Sequence, residues 1–173
     1  MPAIKISSSA LSLKAMKTLH CLFIIFLIGT ITGCKNPRVI NEYRAIPENG
    51  WSKDLKVKFH FLVNDTQLYH NLHLNLRITG DYPFRKIYVV VHVLGPGESH
   101  SKELVGLTLA EPDGKWLGSG MGDIISFQLP LLKNMVFRKQ GKYVVEIEQY
   151  MRADVLPFVR DVGLMVETGE EII

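Results

Sequence analysis

Leu55-Lys56-Val57-Lys58-Phe59-His60-Phe61-Leu62-Val63 is the stretch that decides the fold. Leu55, Val57, Phe59, Phe61 and Val63 share one phase, and Lys56, Lys58 and His60 share the other. A period of two puts the apolar set on one face of a pleated strand and the cations on the opposite face, which predicts a half-buried β-strand. The pattern returns after the turn Asn64-Asp65-Thr66, where Leu72, Leu74, Leu76 and Ile78 alternate with His73, Asn75 and Arg77. Gly80-Asp81-Tyr82-Pro83 breaks that strand. Ile87 to Leu94 is then apolar in both phases apart from His92, the pattern of a central strand covered on both faces.

Further strands are expected at Glu103 to Ala110, at Ile124 to Leu129 where Pro130 stops the run, around Tyr143, Val145 and Ile147, and at Asp161 to Glu167 with Val162, Leu164 and Val166 inward. Residues 131 to 137 and 149 to 157 carry only weak signals, each for a helical turn. Short strands separated by turn residues, with no amphipathic helix and no internal repeat, predict an all-β domain over residues 51 to 173. The expected architecture is an antiparallel β-sandwich of immunoglobulin-like shape with about seven to eight strands. A small closed barrel is the alternative.

Ahead of this domain lies the only long apolar run, Leu19 to Ile31, interrupted by His20 and Cys21 and preceded by Lys5, Lys14 and Lys17. No acidic residue occurs before Glu42. Positive charge, a short apolar core and then small residues make a secretory signal peptide, too short to span a bilayer as a helix. Its end, Ile31-Thr32-Gly33-Cys34, has the form of a bacterial lipobox: an aliphatic residue, two small ones and a thiol whose thiolate is readily alkylated. The reading is a lipoprotein signal peptide over 1 to 33, cleavage between Gly33 and Cys34, a covalent lipid on Cys34, and a lipidated tether over 34 to 50. Met16 opens a shorter version of the same leader, so translation from Met1 or from Met16 gives the same mature chain.

Removing residues 1 to 33 leaves 173 − 33 = 140 residues, one domain's worth. Lys and Arg fall from 20 to 20 − 3 = 17, equal to the 17 Asp and Glu, so the basic balance belongs to the leader and nucleic-acid binding has no electrostatic support. Cys21 leaves with the leader and Cys34 carries lipid. Disulfides, thiolate catalysis and cysteine metal sites are therefore excluded from the mature domain. Two or three acyl chains, at about 0.8 kcal/mol per buried methylene, hold such a protein at a membrane surface permanently. Lys35 and Arg38 follow the anchor and either sit among anionic head groups, where each cation contributes on the order of 1 kcal/mol, or belong to a solvated linker.

Candidate chemistry is sparse. Gly118-Ser119-Gly120 lacks the spacing and strand-to-helix context of a nucleophile elbow. His60 and His73 would face each other if their strands formed a hairpin, but a third metal ligand is not evident. Glu146 and Glu148 beside Lys142 resemble paired carboxylates, yet their phase is that of a solvated strand face. No catalytic residue, metal or cofactor is expected beyond the lipid. The most unusual mature stretch is the loop Glu111 to Asp123, with Gly114, Gly118, Gly120 and Gly122 around Trp116. Within it, the loop from Asp113 to Asp123 is the first candidate for an interaction surface, with Lys115 and Asp123 as polar contacts. Trp51, Tyr82 and Trp116 either cap the ends of the sandwich or present flat faces to a glycan or a protein.

Glu42-Tyr43, Ile46-Pro47, Asn49-Gly50-Trp51, Leu76-Arg77, Asp81-Tyr82-Pro83-Phe84, Pro112 to Gly118, Gly122-Asp123-Ile124, Phe137, Gly141, Tyr143, Glu148-Gln149, Met151-Arg152 and Asp161-Val162-Gly163, in this order, resemble the gliding-motility lipoprotein GldH family of Bacteroidota. The resemblance implies a non-enzymatic accessory lipoprotein of the gliding apparatus, linked in that phylum to type IX secretion, whose partners are envelope proteins. Lys35-Asn36-Pro37-Arg38 lacks the acidic run that resembles a surface-export signal there, which implies an outer-membrane anchor facing the periplasm. A periplasmic glycan- or peptidoglycan-binding module using Trp116, Tyr82 and Trp51 is the alternative.

Overall fold

The computed structural model describes residues 38–97 and 100–171, so the leader, the Gly33–Cys34 cleavage site and the Cys34 anchor lie outside the described residues. All the strands pair antiparallel, in two main sheets. One sheet has the order β1 (Arg38–Ala45), β11 (Val159–Glu171), β4 (Leu68–Thr79), β8 (Ile124–Val136) and β7 (Ser119–Met121). The other has the order β3 (Val57–Val63), β9 (Gly141–Gln149), β5 (Lys86–Leu94) and β6 (His100–Thr108). A small ribbon, β2 (Trp51–Ser52) with β10 (Val155–Leu156), sits at one end. Both main sheets keep free edges, so the architecture is the expected β-sandwich rather than a closed barrel.

The period-two stretches bury as their sequence dictates. In β3, Val57, Phe59, Phe61 and Val63 are buried while Lys58, His60 and Leu62 are exposed. In β4, Leu72, Leu74, Leu76 and Ile78 are fully buried and join the β3 residues in one core. Each such side chain contributes about 1.5–3 kcal/mol relative to exposure. β5 is interior to its sheet, and Val90 and His92 on its outer phase are covered, whereas Lys86 and Tyr88 at its start are exposed.

Four expectations need correction. First, the tether is shorter than 34 to 50, because Arg38–Ala45 forms β1 and pairs with β11 along most of its length. Its sequence shows no clean alternation because an edge strand needs to bury little. Second, Pro130 does not end β8, which runs on to Val136. Among the described residues no strand pairs with the outer edge of β8 beyond Ser126, so a residue without an N–H is tolerated there. Third, residues 131 to 136 are strand instead of a helical turn, with register shifts near Leu72 and a positive φ of 53° at Asn134, whose N–H donates to Asn71 Oδ1 at 3.0 Å. Fourth, residues 149 to 157 hold the end of β9, a run of bends over 151–154, β10 and the start of a turn at Pro157, without a helical turn. The short strands β2, β7 and β10 add to the expected seven or eight.

The sandwich has two poles. The proximal pole holds Arg38, where the chain enters, together with the β3–β4 turn, the end of β11, the β5–β6 turn and the β8–β9 turn. The distal pole holds the β1–β2, β4–β5, β6–β7, β7–β8 and β9–β10–β11 connections.

Candidate interaction surface

The loop singled out in the sequence lies at the distal pole, and it is built rather than slack. The Leu109 N–H donates to the Arg85 carbonyl at 2.8 Å and the Leu117 N–H donates to Leu109 at 2.8 Å, so the loop leaves and re-enters on one short ladder. At its tip the Glu111 N–H donates to the Lys115 carbonyl at 2.8 Å, Asp113 Oδ1 accepts from the Lys115 N–H at 3.1 Å, and Gly114 takes a φ of 89°. An acidic side chain closing its own turn, followed by a glycine in the left-handed region, explains Pro112-Asp113-Gly114 locally. Gly118 lies against β8, where a Cβ would come within 2.7 Å of the Ser126 carbonyl oxygen.

Trp116 is half-buried: it packs on the core and meets Phe127 edge-on, with ring centroids 6.3 Å apart. Lys115 and Asp123 are exposed. They do not converge on the same spot. Asp123 follows the left-handed Gly122 in the β7–β8 turn and lines a depression of about 690 Å³ with Thr79, Asp81, Ile124, Phe158 and Arg160. Three connections are tied together there, by Thr79 N–H to the Phe158 carbonyl at 2.9 Å and Gly80 N–H to the Asp123 carbonyl at 3.1 Å. Phe158 adopts a φ of 66° with its ring exposed, an uncommon backbone state for a bulky residue. Phe158, Ile124 and Arg160 are site residues that sequence reasoning missed, since nothing in Leu156-Pro157-Phe158 signals a left-handed turn.

Trp51 and Tyr82 are not surface aromatics. Trp51 is completely buried and donates its indole N–H to the Leu55 carbonyl at 3.0 Å. Tyr82 is 3% exposed and stands edge-on to Phe84, and burial pushes its hydroxyl well above the usual phenol range. Its hydroxyl and Thr79 Oγ1 are buried with no hydrogen-bond partner among the described residues. Both aromatics therefore act as caps on the core, the first of the two readings their sequence positions allowed.

The histidine pair does not form either, because β3 and β4 belong to different sheets. His73 Nε2 lies 3.0 Å from Glu167 Oε1 instead. Glu146 and Glu148 are less solvated than expected: Lys58 Nζ lies 2.6 Å from Glu146, and both Lys56 Nζ at 3.1 Å and His92 Nε2 at 3.0 Å lie against Glu148. The hydrogen bond from Lys58 holds the Glu146 carboxyl below the usual carboxylate range. For Glu148 burial pushes the other way, yet the bonds from His92 and Lys56 prevail and its carboxyl is also lowered. These are cross-strand ion pairs of a sheet face. Among the described residues no group of three or more His, Cys, Asp or Glu is arranged to hold a metal ion.

Comparison with known proteins decides the family. The GldH lipoprotein family pattern matches residues 38–166. The chain is 31% identical over 163 residues to a gliding motility lipoprotein GldH homolog of Christiangramia forsetii, covering 90% of this chain and 99% of the relative. The chain belongs to the GldH lipoprotein family. A second GldH relative, the gliding motility lipoprotein GldH of Flavobacterium johnsoniae, is also 31% identical, over 83% of this chain and 94% of its own length.

The residues that carried the GldH resemblance turn out to be largely structural. Gly50, with a φ of 102°, lies so close to the Leu156 carbonyl that a Cβ would come within 2.5 Å of its oxygen, and this contact seats Trp51 beneath β10. Gln149 is buried, donates to the Ala153 carbonyl at 3.1 Å and accepts from the Met151 N–H at 2.8 Å, which shapes the 150–154 turn. At Gly163 a Cβ would meet the Glu42 carbonyl oxygen at 2.6 Å, so its absence lets β1 and β4 close on β11. Beside it the Arg77 guanidinium lies 4.3 Å over the Tyr43 ring.

Proposed function

We propose that this protein is an outer-membrane-anchored, non-enzymatic accessory component of the gliding machinery linked to type IX secretion, facing the periplasm and bound to envelope proteins. Family membership carries the reading, since the GldH relatives are named for gliding motility. Two features of this chain support it. The lipobox at Ile31–Cys34 supplies a lipid as the covalent attachment, with no cofactor called for. The distal pole offers a pre-organised surface of Trp116, Asp123, Phe158 and Arg160 for a protein partner. The glycan-module alternative loses support because Trp51 and Tyr82 lie inside the core and leave Trp116 as the sole member of that trio with an accessible face.

The test is a deletion strain complemented by wild type or by Cys34→Ala, scored for colony spreading, for secretion of type IX cargo and for sedimentation of the protein with outer or inner membrane. Loss of spreading and of cargo release, restored by wild type and poorly by Cys34→Ala, is expected, with the protein in the outer-membrane fraction. Normal spreading and secretion in the deletion strain, or recovery with the inner membrane, contradicts the proposal.

A further inference from the structure

We propose that the proximal pole docks on an anionic membrane surface, with a phosphate-bearing lipid headgroup seated in a slot between the two sheets. The slot, of about 310 Å³, is floored by Val93, Met135, Phe137 and Tyr143 and rimmed by His100, Arg138 and Lys139. The floor is a packed aromatic cluster: Phe137 and Tyr143 rings lie 4.5 Å apart, Phe61 stacks on Tyr143 at 5.9 Å, and the Tyr143 hydroxyl donates to the Lys139 carbonyl at 2.9 Å, which ties the floor to the turn that carries both rim cations. Ser101 also lines the slot, and its hydroxyl oxygen is shielded from solvent with no hydrogen-bond partner among the described residues. It is an unsatisfied polar group at the wall of the slot.

Charge and chain geometry select a membrane lipid as the occupant. Lys133, Arg138, Lys139 and Lys142 fall within ten residues with no acid between them, and no ion pair to Arg138 or Lys139 occurs among the described residues. Among the described residues, the acids of the same pole, Asp65, Glu167, Glu170 and Glu171, belong to the β3–β4 turn and the end of β11 rather than to the β8–β9 turn, while Glu98 of the β5–β6 connection lies outside the described residues. Two exposed apolar side chains, Val136 and Leu62, flank the cations. The chain enters this pole at Arg38, four residues after Cys34. At up to roughly 3.6 Å per residue, four residues span about 14 Å, so an acylated Cys34 holds this pole against the headgroups and the distal pole away from them. The inference rests on the acylation reading above. An apolar floor with a cationic rim fits the phosphate and upper glycerol of a lipid, and the attraction is screened by salt.

The experiment uses the full chain, expressed and processed in cells, then reconstituted into vesicles. An introduced cysteine is the only free thiol once Cys34 is acylated. An environment-sensitive fluorophore is placed at Val136→Cys on the proximal pole or Leu117→Cys on the distal pole, in phosphatidylcholine vesicles with or without phosphatidylglycerol. Expected is a blue shift at Val136→Cys with phosphatidylglycerol, none at Leu117→Cys, and loss of the shift in ~1 M salt, where the screening length falls to about 3 Å. The pair Arg138→Glu and Lys139→Glu abolishes the shift without lowering the thermal midpoint. Equal shifts at both poles, a shift indifferent to phosphatidylglycerol, or a shift that survives the charge reversal overturns the proposal. Release of the shift by inorganic phosphate, but not by chloride at matched ionic strength, overturns the lipid assignment in favour of a free-phosphate site. Protein that fails to float with either vesicle overturns the acylation reading, whereas protein that floats without the shift overturns the docking alone.

Discussion

The two poles of the sandwich are closed by different physics. Among the described residues, every backbone-to-backbone hydrogen bond outside the strand ladders lies at the distal pole, from Ile46 N–H to the Arg160 carbonyl through Tyr150 N–H to Tyr88, while the proximal turns are tied by side chains, as in Gln67 N–H to Asp65 and Asn134 N–H to Asn71. The proximal pole is closed instead by an aromatic cluster of Phe61, Phe137, Tyr143 and His70. Hydrogen bonds fix loop shape because leaving a buried partner unmade is costly, while ring packing is non-directional and tolerates small displacements. The distal pole therefore suits recognition of a partner with defined shape. The proximal pole suits contact with a soft surface.

The largest expected effect comes from removing the distal keystone. Trp51→Ala leaves a large void under β10 and is expected to cost about 3–5 kcal/mol, seen as a lower urea midpoint. A loss below about 1 kcal/mol would mean that the ribbon collapses onto the space and that the distal pole is softer than its hydrogen bonds suggest. Next, Gly95→Ala at the proximal pole pushes a Cβ to within 2.3 Å of the Tyr143 ring. The expected cost is about 1–3 kcal/mol, at the low end if the aromatic cluster can shift as a soft closure should. A smaller change of opposite sign is expected for Phe158→Gly, which removes a left-handed backbone penalty of about 1–2 kcal/mol and only a partly exposed ring. Its thermal midpoint should rise slightly while partner recovery falls, because the exposed ring is lost from the distal surface.

The smallest effect concerns neither pole. Glu146 has its folded pKa lowered, so its pairing with Lys58 contributes stability above the ordinary value of 4.5, and that contribution is lost as pH falls through the lowered folded value. Urea midpoints measured against pH should fall on acidification below that value, and Glu146→Gln should flatten part of the decline. An identical slope in the variant would show that the outer face of the β3–β9–β5–β6 sheet does not contribute to the acid sensitivity.

The strands that bury a full phase were legible from residue order, because Leu72, Leu74, Leu76 and Ile78 must share a face and that face must be covered. β1 was not, since Val39 and Ile40 are adjacent and an edge strand is held by its neighbour's backbone rather than by its own apolar pattern. Pro130 misled for the same reason: it sits where β8 itself is an edge. In the candidate surface, Trp116 and Asp123 could be read from an unusual loop, but Phe158 and Arg160 arrive from a connection far away in sequence. Only tertiary contacts bring them together. Burial of Trp51 was equally invisible, because a tryptophan beside Asn49-Gly50 can cap or protrude, and the deciding contact with Leu156 is a long-range backbone approach.

The most direct test of the account is photo-crosslinking in living source cells, with a photoreactive residue placed at Asp123 or Phe158 on the distal pole, or at Leu62 or Arg138 on the proximal pole. The account predicts discrete protein adducts from the distal positions, containing components of the motility or secretion apparatus, and no comparable protein adducts from the proximal ones. Discrete protein adducts from Leu62 and Arg138, with none from Asp123 and Phe158, would contradict it and make the proximal pole the protein-binding surface.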